Sequence, residues 1–185
     1  MIADHPSNVL RLERMFAAAP DVVFDIWTKP ELIAVWEASS HGFRAQDVRV
    51  DLRPGGTWSL RNVKGTVAEH VIGTYHEVEP GRRLCYSYRY KDTEFSSVVS
   101  IDLQQQKQST LLRFCQTGFP NETSFIEHGK GLAIVFKIME NALLAIPGAG
   151  AGWQGLGEKS MGRVASGLEE ARRRFEDEQK VKQKL

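Results

Sequence analysis

The spacing of apolar residues changes rhythm three times along the chain, and each change marks a different kind of element. In "LRLERMF" Leu10, Leu12 and Phe16 share a face at period two, which predicts a half-buried first strand. "PDVVFDIWTKPELIAVWEA" then turns helical: Pro20 suits a first turn, Val23 and Trp27 fall on one face, and Pro30 stops that helix before a second short one ends near Trp36. From about Ala45 to Thr117 the period is two again. "DVRVDLR" sets Val48, Val50 and Leu52 against Asp47, Arg49, Asp51 and Arg53. Leu84, Tyr86, Tyr88 and Tyr90 share one face of the next clear strand; Phe95, Val99, Ile101 and Leu103 share one, as do Leu112, Phe114 and Gln116. Arg83, Arg89 and Arg113 take the opposite, solvated face. Turn signals in "DLRPGGTW", "EPGR" and "QQQKQS" lie at hairpin distances, so an antiparallel meander is predicted.

The third change comes after Trp153, where Trp153, Leu156, Ser160, Val164, Leu168, Ala171 and Phe175 recur every three or four residues. This predicts a long amphipathic C-terminal helix whose stripe is expected on the concave side of the sheet, with a cleft between the two. The charged tail "EEARRRFEDEQKVKQKL" reads as a solvated helix end.

Composition narrows the partners. The chain has 185 residues, 42% hydrophobic and 25% charged, enough for one core, so a single domain over 1–185 is expected. Its 24 basic and 23 acidic residues leave a net charge of +1, no broad field for nucleic acid or an anionic membrane, and neither is expected as a partner. "GLAIVFKIMENALLAIPGAG" is interrupted by Lys137, Glu140 and Asn141 and falls short of the about 18 apolar residues of a membrane span. The N-terminus lacks the layout of a secretory signal, and with two cysteines, Cys85 and Cys115, a cytoplasmic protein with reduced thiols is expected.

The order strand, two short helices, six strands, long helix, carried by "RMFAAAPDVVFDIWTKPELIAVW", "DLRPGGTW", "GTYHEVEPGRRLCYSY" and "TLLRFCQTGF", resembles the START-like (SRPBCC) helix-grip superfamily, in the branch of the activator of Hsp90 ATPase. The resemblance runs from about Leu10 to Phe119 and resumes at Gly152 and Trp153. It implies an α+β helix-grip fold: a curved antiparallel sheet wrapped around a long C-terminal helix, with two short helices after the first strand. One departure stands out. Between Phe119 and Gly152 lies a segment, about residues 120–151, with Ile134, Phe136, Ile138, Met139, Leu143 and Ile146. It reads as an inserted helix serving as a lid over the cleft mouth or as a homodimer contact, or else as an N-terminal extension of the last helix.

The resemblance also implies that the Trp after the "RPGG" turn resumes the inward face. Trp58, Tyr86, Tyr88 and Phe114 are therefore expected as cleft walls, with Tyr75 on the same inward parity, Trp153 on the helix side and Trp36 as the gate. With unbroken alternation Glu69 and Arg14 turn inward, an acid able to act as a base and a base able to hold a ligand carboxylate; a bulge at Gly73 or near Arg14 turns them outward, and a structural ion pair or a solvated side chain is the alternative for each. The five histidines lie outside HxH or HExxH patterns and "PGAGAGW" lacks the Lys of a P-loop, so no metal or other cofactor is expected. Three functions remain. The first is binding of a small hydrophobic or aromatic molecule in the cleft. The second is a cyclase-, aromatase- or hydrolase-like enzyme using the same cleft, and the third a chaperone cofactor. The last ranks lowest, because the chain offers no second domain with which to bridge Hsp90.

Overall fold

The computed structural model describes residues 9–37, 42–144 and 158–182. They form strand β1 (Leu10–Phe16), helices α1 (Pro20–Thr28) and α2 (Pro30–Trp36), strands β2 (Arg44–Val50), β3 (Thr57–Lys64), β4 (Val67–Glu79), β5 (Arg83–Tyr90), β6 (Ser97–Gln106) and β7 (Ser109–Thr117), and helices α3 (Glu122–Leu144) and α4 (Glu158–Lys182). Proline explains the break between α1 and α2. Lys29, which precedes Pro30, is held extended at φ −85° and ψ 124°, and it serves as both the end of one helix and the cap of the next.

The strands make one antiparallel sheet in the order β1-β7-β6-β5-β4-β3-β2, a meander whose first strand closes onto the last. Alternation survives in the core strands: Val99, Ile101, Leu103, Leu112 and Phe114 are all buried on the inner face. The outer face carries a cross-strand ion ladder in which Arg83 pairs with Glu77 and Asp102, and Arg113 with Glu13. Two strand readings shift. Leu52 lies beyond β2, which ends at Val50 and carries a bulge around Asp47 (φ 53°). Phe95 precedes β6 and is 60% exposed. The "RPGG" corner folds back onto β4: the Gly55 N–H donates to the Tyr75 carbonyl at 2.8 Å, and the Tyr75 N–H to the Gly56 carbonyl at 2.9 Å. Gly55 takes φ +79°, a conformation side chains disfavour.

The α+β helix-grip architecture is as expected, but the sheet holds a different helix from the one the apolar stripe had suggested. The segment read as an insertion is α3, and it lies across the inner face. Its Phe136 is fully buried, with ring centroids 6.1 Å from Phe16, 6.0 Å from Trp27 and 6.0 Å from Phe114. The α4 stripe, Val164, Leu168 and Ala171, packs instead against α3 and α2. The reason is relative hydrophobicity. Leu132, Val135, Phe136, Ile138, Met139 and Leu143 give α3 far more apolar area to remove from water than α4 offers. Thus α3 is a wall of the core and not a lid over its mouth.

Candidate functional site

Between the inner face of the sheet and α3 lies a cleft of about 220 Å³. The sheet supplies Asn62 from β3, Glu69 from β4, the tyrosines of β5, Val99 of β6, and Phe114 and Gln116 of β7. Helix α1 adds Trp27, α2 and the residue after it Trp36 and Glu37, and Phe43 precedes β2, while α3 contributes His128, Gly131, Leu132 and Val135. The residues of α3 recur at helical spacing, so one turn after another faces the cleft. A second chamber of about 360 Å³ adjoins the first across shared walls, Tyr88, Tyr90, Gln116 and His128, and reaches outward to Phe95 and Phe119.

Glu37, the residue just after α2, is the chemical centre of this space. Its carboxyl is hydrogen-bonded to the side chains of Asn62 and Tyr88. Burial among the rings pushes it up from its ordinary 4.5 to about 7, and the two hydrogen bonds oppose that rise only in part. Burial also holds the Tyr86 and Tyr88 hydroxyls well above the usual phenol range, and the nearby Glu37 adds to the shift. They remain O–H groups at any physiological pH. Across the β3–β4 ladder Asn62 stands opposite Glu69, so two carboxyl-bearing residues lie at one end of the cleft. Among the described residues, three buried polar atoms of the lining find no hydrogen-bond partner: Asn62 Oδ1, Gln116 Oε1 and Trp27 Nε1.

The sequence-derived candidates separate into three groups. Trp36, Tyr86, Tyr88, Phe114 and Glu69 line the cleft. Trp36 is anchored there, its Nε1 donating to the Ile26 carbonyl at 2.8 Å while its ring lies 4.8 Å from that of Trp27. Trp58 and Tyr75 lie one layer behind, around a void of about 30 Å³ that shares Glu37, Tyr86 and Tyr88 with the cleft. The Trp58 indole covers Gly73, donates to the Ser87 carbonyl at 3.2 Å, and meets Tyr86 and Tyr88 at 5.6 and 5.7 Å. It orients the tyrosines from behind and does not itself line the cleft. Arg14 has the inward parity but lies at the far end of α3, 3.6 Å from Glu140 and 5.9 Å above the Phe136 ring. It ties β1 to α3, outside the cleft lining. Trp153 falls outside the described residues.

Alternation would have found Asn62, which follows Trp58 and Leu60 on the inward face of β3; a polar residue in that row is itself the signal. Glu37 sits where strand parity and helix phase both stop, so sequence offers no rule for its direction. His128 has the phase of Leu132 and Val135, a signal that becomes usable once α3 is known to face the sheet. Among the described residues no group of three or more His, Cys, Asp or Glu could hold a metal ion, and no helix is long and apolar enough to cross a membrane.

A single antiparallel sheet closed over a helix, with an aromatic cleft between them, defines the helix-grip class of α+β proteins. Within it the chain belongs to the family described as Activator of Hsp90 ATPase homolog 1-like protein, which matches residues 17–143 and so includes nearly all of α3. Solved structures share the fold. Protein CV1439 from Chromobacterium violaceum is 21% identical, with 88% of this chain and 97% of that one covered at a TM-score of 0.63. CalU16 from Micromonospora echinospora is 23% identical over 88% of this chain and 84% of that one, at 0.54. An HSP90 activator from Plasmodium falciparum, PFC0360w, is 22% identical over 66% and 84%, at 0.50. No curated protein matches the sequence significantly.

Proposed function

We propose that this protein binds a small, largely aromatic or hydrophobic molecule in the cleft between the sheet and α3, in the cytoplasm. The observation that carries this reading is the cleft itself: ring-lined, about 220 Å³, adjoining a second chamber of about 360 Å³, and holding buried polar atoms that nothing among the described residues satisfies. Buried polar atoms are nearly always paired in folded proteins, so unpaired ones facing a cavity point to a missing partner. A catalytic use of the site is the second reading, favoured by a Glu37 carboxyl that exchanges its proton near neutral pH.

Native mass spectrometry of the protein purified from its own host, followed by denaturing extraction, tests both. A discrete bound molecule is expected, and it is expected to disappear in Leu132→Trp, which fills the cleft from α3, while circular dichroism stays unchanged. A bare mass, with no stabilisation by any member of an aromatic amine, alcohol and acid panel, counts against binding. Recovery of a chemically altered molecule after incubation with the panel moves the weight to catalysis. Trp58→Ala is a poorer probe, since that ring stands behind the wall.

A further inference from the structure

The cleft has a one-sided chemistry that a purely apolar ligand leaves unused. Its described lining contains two glutamates, Glu37 and Glu69, and neither lysine nor arginine. Asn62 and Gln116 are 2% and 1% exposed, yet the amide oxygen of each lacks a hydrogen-bond donor. The Gln116 amide nitrogen is already committed to the Ser97 hydroxyl at 2.8 Å, which leaves its oxygen as the free end. A buried acceptor left unpaired destabilises the fold until a donor reaches it. One unpaired donor stands against them, Trp27 Nε1, packed beside the Trp36 ring. The remaining surface is largely aromatic, and ring faces attract cations.

We propose that the cleft takes an organic cation, a protonated amine on an aromatic body. Its ammonium N–H groups donate to the Glu37 carboxylate and Asn62 Oδ1 beside Glu69, and a second N–H on the body donates to Gln116 Oε1. Asn62 and Gln116 stand on β3 and β7, with three strands between them, so two well-separated donors on one elongated molecule are needed to reach both. The proposal rests on the cleft being a binding site and adds the charge and polarity of what it binds. Binding couples to protonation. Asn62 of β3 and Tyr88 of β5 are hydrogen-bonded to Glu37, Tyr86 and Tyr90 lie within its field, and Glu69 of β4 and His128 of α3 are the other titratable groups of the cleft lining. A cation is held only by the ionised carboxylate, so uptake of the amine displaces the proton that burial otherwise retains on Glu37.

Calorimetric titration of the full chain with three matched probes tests this: tryptamine as the cation, tryptophol as its neutral counterpart and indole-3-propionate as the anion. Tryptamine is expected to bind at least about tenfold more tightly than tryptophol at pH 8, the difference between a charged and a neutral hydrogen-bond partner, with the propionate weakest. Its affinity is expected to rise about 30-fold between about pH 5.5 and pH 8, as Glu37 ionises, and then to level off. Glu37→Gln is expected to lose both the preference and the pH dependence while still binding tryptophol. Equal or tighter binding of tryptophol or the propionate by the unmodified chain overturns the cation assignment and leaves the binding cleft standing. A preference or a pH dependence that persists in Glu37→Gln overturns the role given to Glu37. Failure of all three probes at millimolar concentration overturns the proposal together with the reading it rests on.

Discussion

Glu37 and Gly73 show what single residues contribute here. The folded chain holds the Glu37 proton more tightly than the unfolded chain, because the folded carboxyl titrates at about 7 against an ordinary 4.5. Its burial is therefore nearly free of penalty below about pH 4.5, opposes folding increasingly between about pH 4.5 and the folded value, and levels off above it. Glu37→Gln, which cannot ionise, is expected to match the unmodified chain near pH 4 and to exceed it by about 3 kcal/mol at pH 8, measured by urea unfolding at the two values. At Gly73 an added Cβ would lie 1.9 Å from the Ser87 carbonyl oxygen and 2.3 Å from Trp58 Nε1, so strand and indole approach as closely as they do only because the side chain is missing. Gly73→Ala is expected to cost about 2–4 kcal/mol and to shift the tryptophan emission, as the indole is driven off β4 and the hydrogen bond to Ser87 is broken.

Among the elements, α3 decides the most. It buries its apolar stripe against the sheet, presents His128, Gly131, Leu132 and Val135 to the cleft, and supports α4 on its other side. Phe136→Ala removes the ring shared by Phe16, Trp27 and Phe114 and is expected to cost about 3–5 kcal/mol in equilibrium unfolding. Arg14→Ala, at the half-exposed tie between β1 and α3, is expected to cost at most about 1 kcal/mol and to leave ligand affinity unchanged, because that ion pair stands apart from the cleft. Calorimetry on the two variants separates a core residue from a surface tie. β5 is the second decisive element. Its inward row of tyrosines works only because Trp58 and Tyr75 fill the space behind it.

At the scale of the whole molecule, the sheet, α1, α2 and α3 enclose an inner chamber that adjoins an outer one, and Phe95 stands exposed on the outer wall. A contiguous apolar approach of this kind gives a ligand body somewhere to lie beyond the polar end. Phe95→Ser is expected to change folding stability by less than about 0.5 kcal/mol, as exposed positions usually do. The same change is expected to weaken binding of long-bodied ligands while leaving short ones such as tryptamine unaffected, a contrast that one titration series can read.

The sequence by itself determined the class of the fold. Period-two strands, proline-initiated short helices and long amphipathic helices reflect how side chains alternate about a local backbone, and that is decided within a few residues. The inward directions of Tyr86, Tyr88 and Phe114 were legible for the same reason; those of Glu69 and Arg14 hung on alternation staying unbroken, and parity says nothing of Arg14's distance from the cleft. Which helix the sheet holds was decided only by tertiary structure. Two apolar stripes competed for one inner face, and the more hydrophobic α3 excluded α4, a comparison of buried areas that periodicity does not make. Tertiary structure alone also brought Glu37 against Asn62 and Tyr88. That side chain leaves the chain where a helix ends, and its near-neutral carboxyl arises from desolvation by a cleft whose walls come from five separate strands and a distant helix.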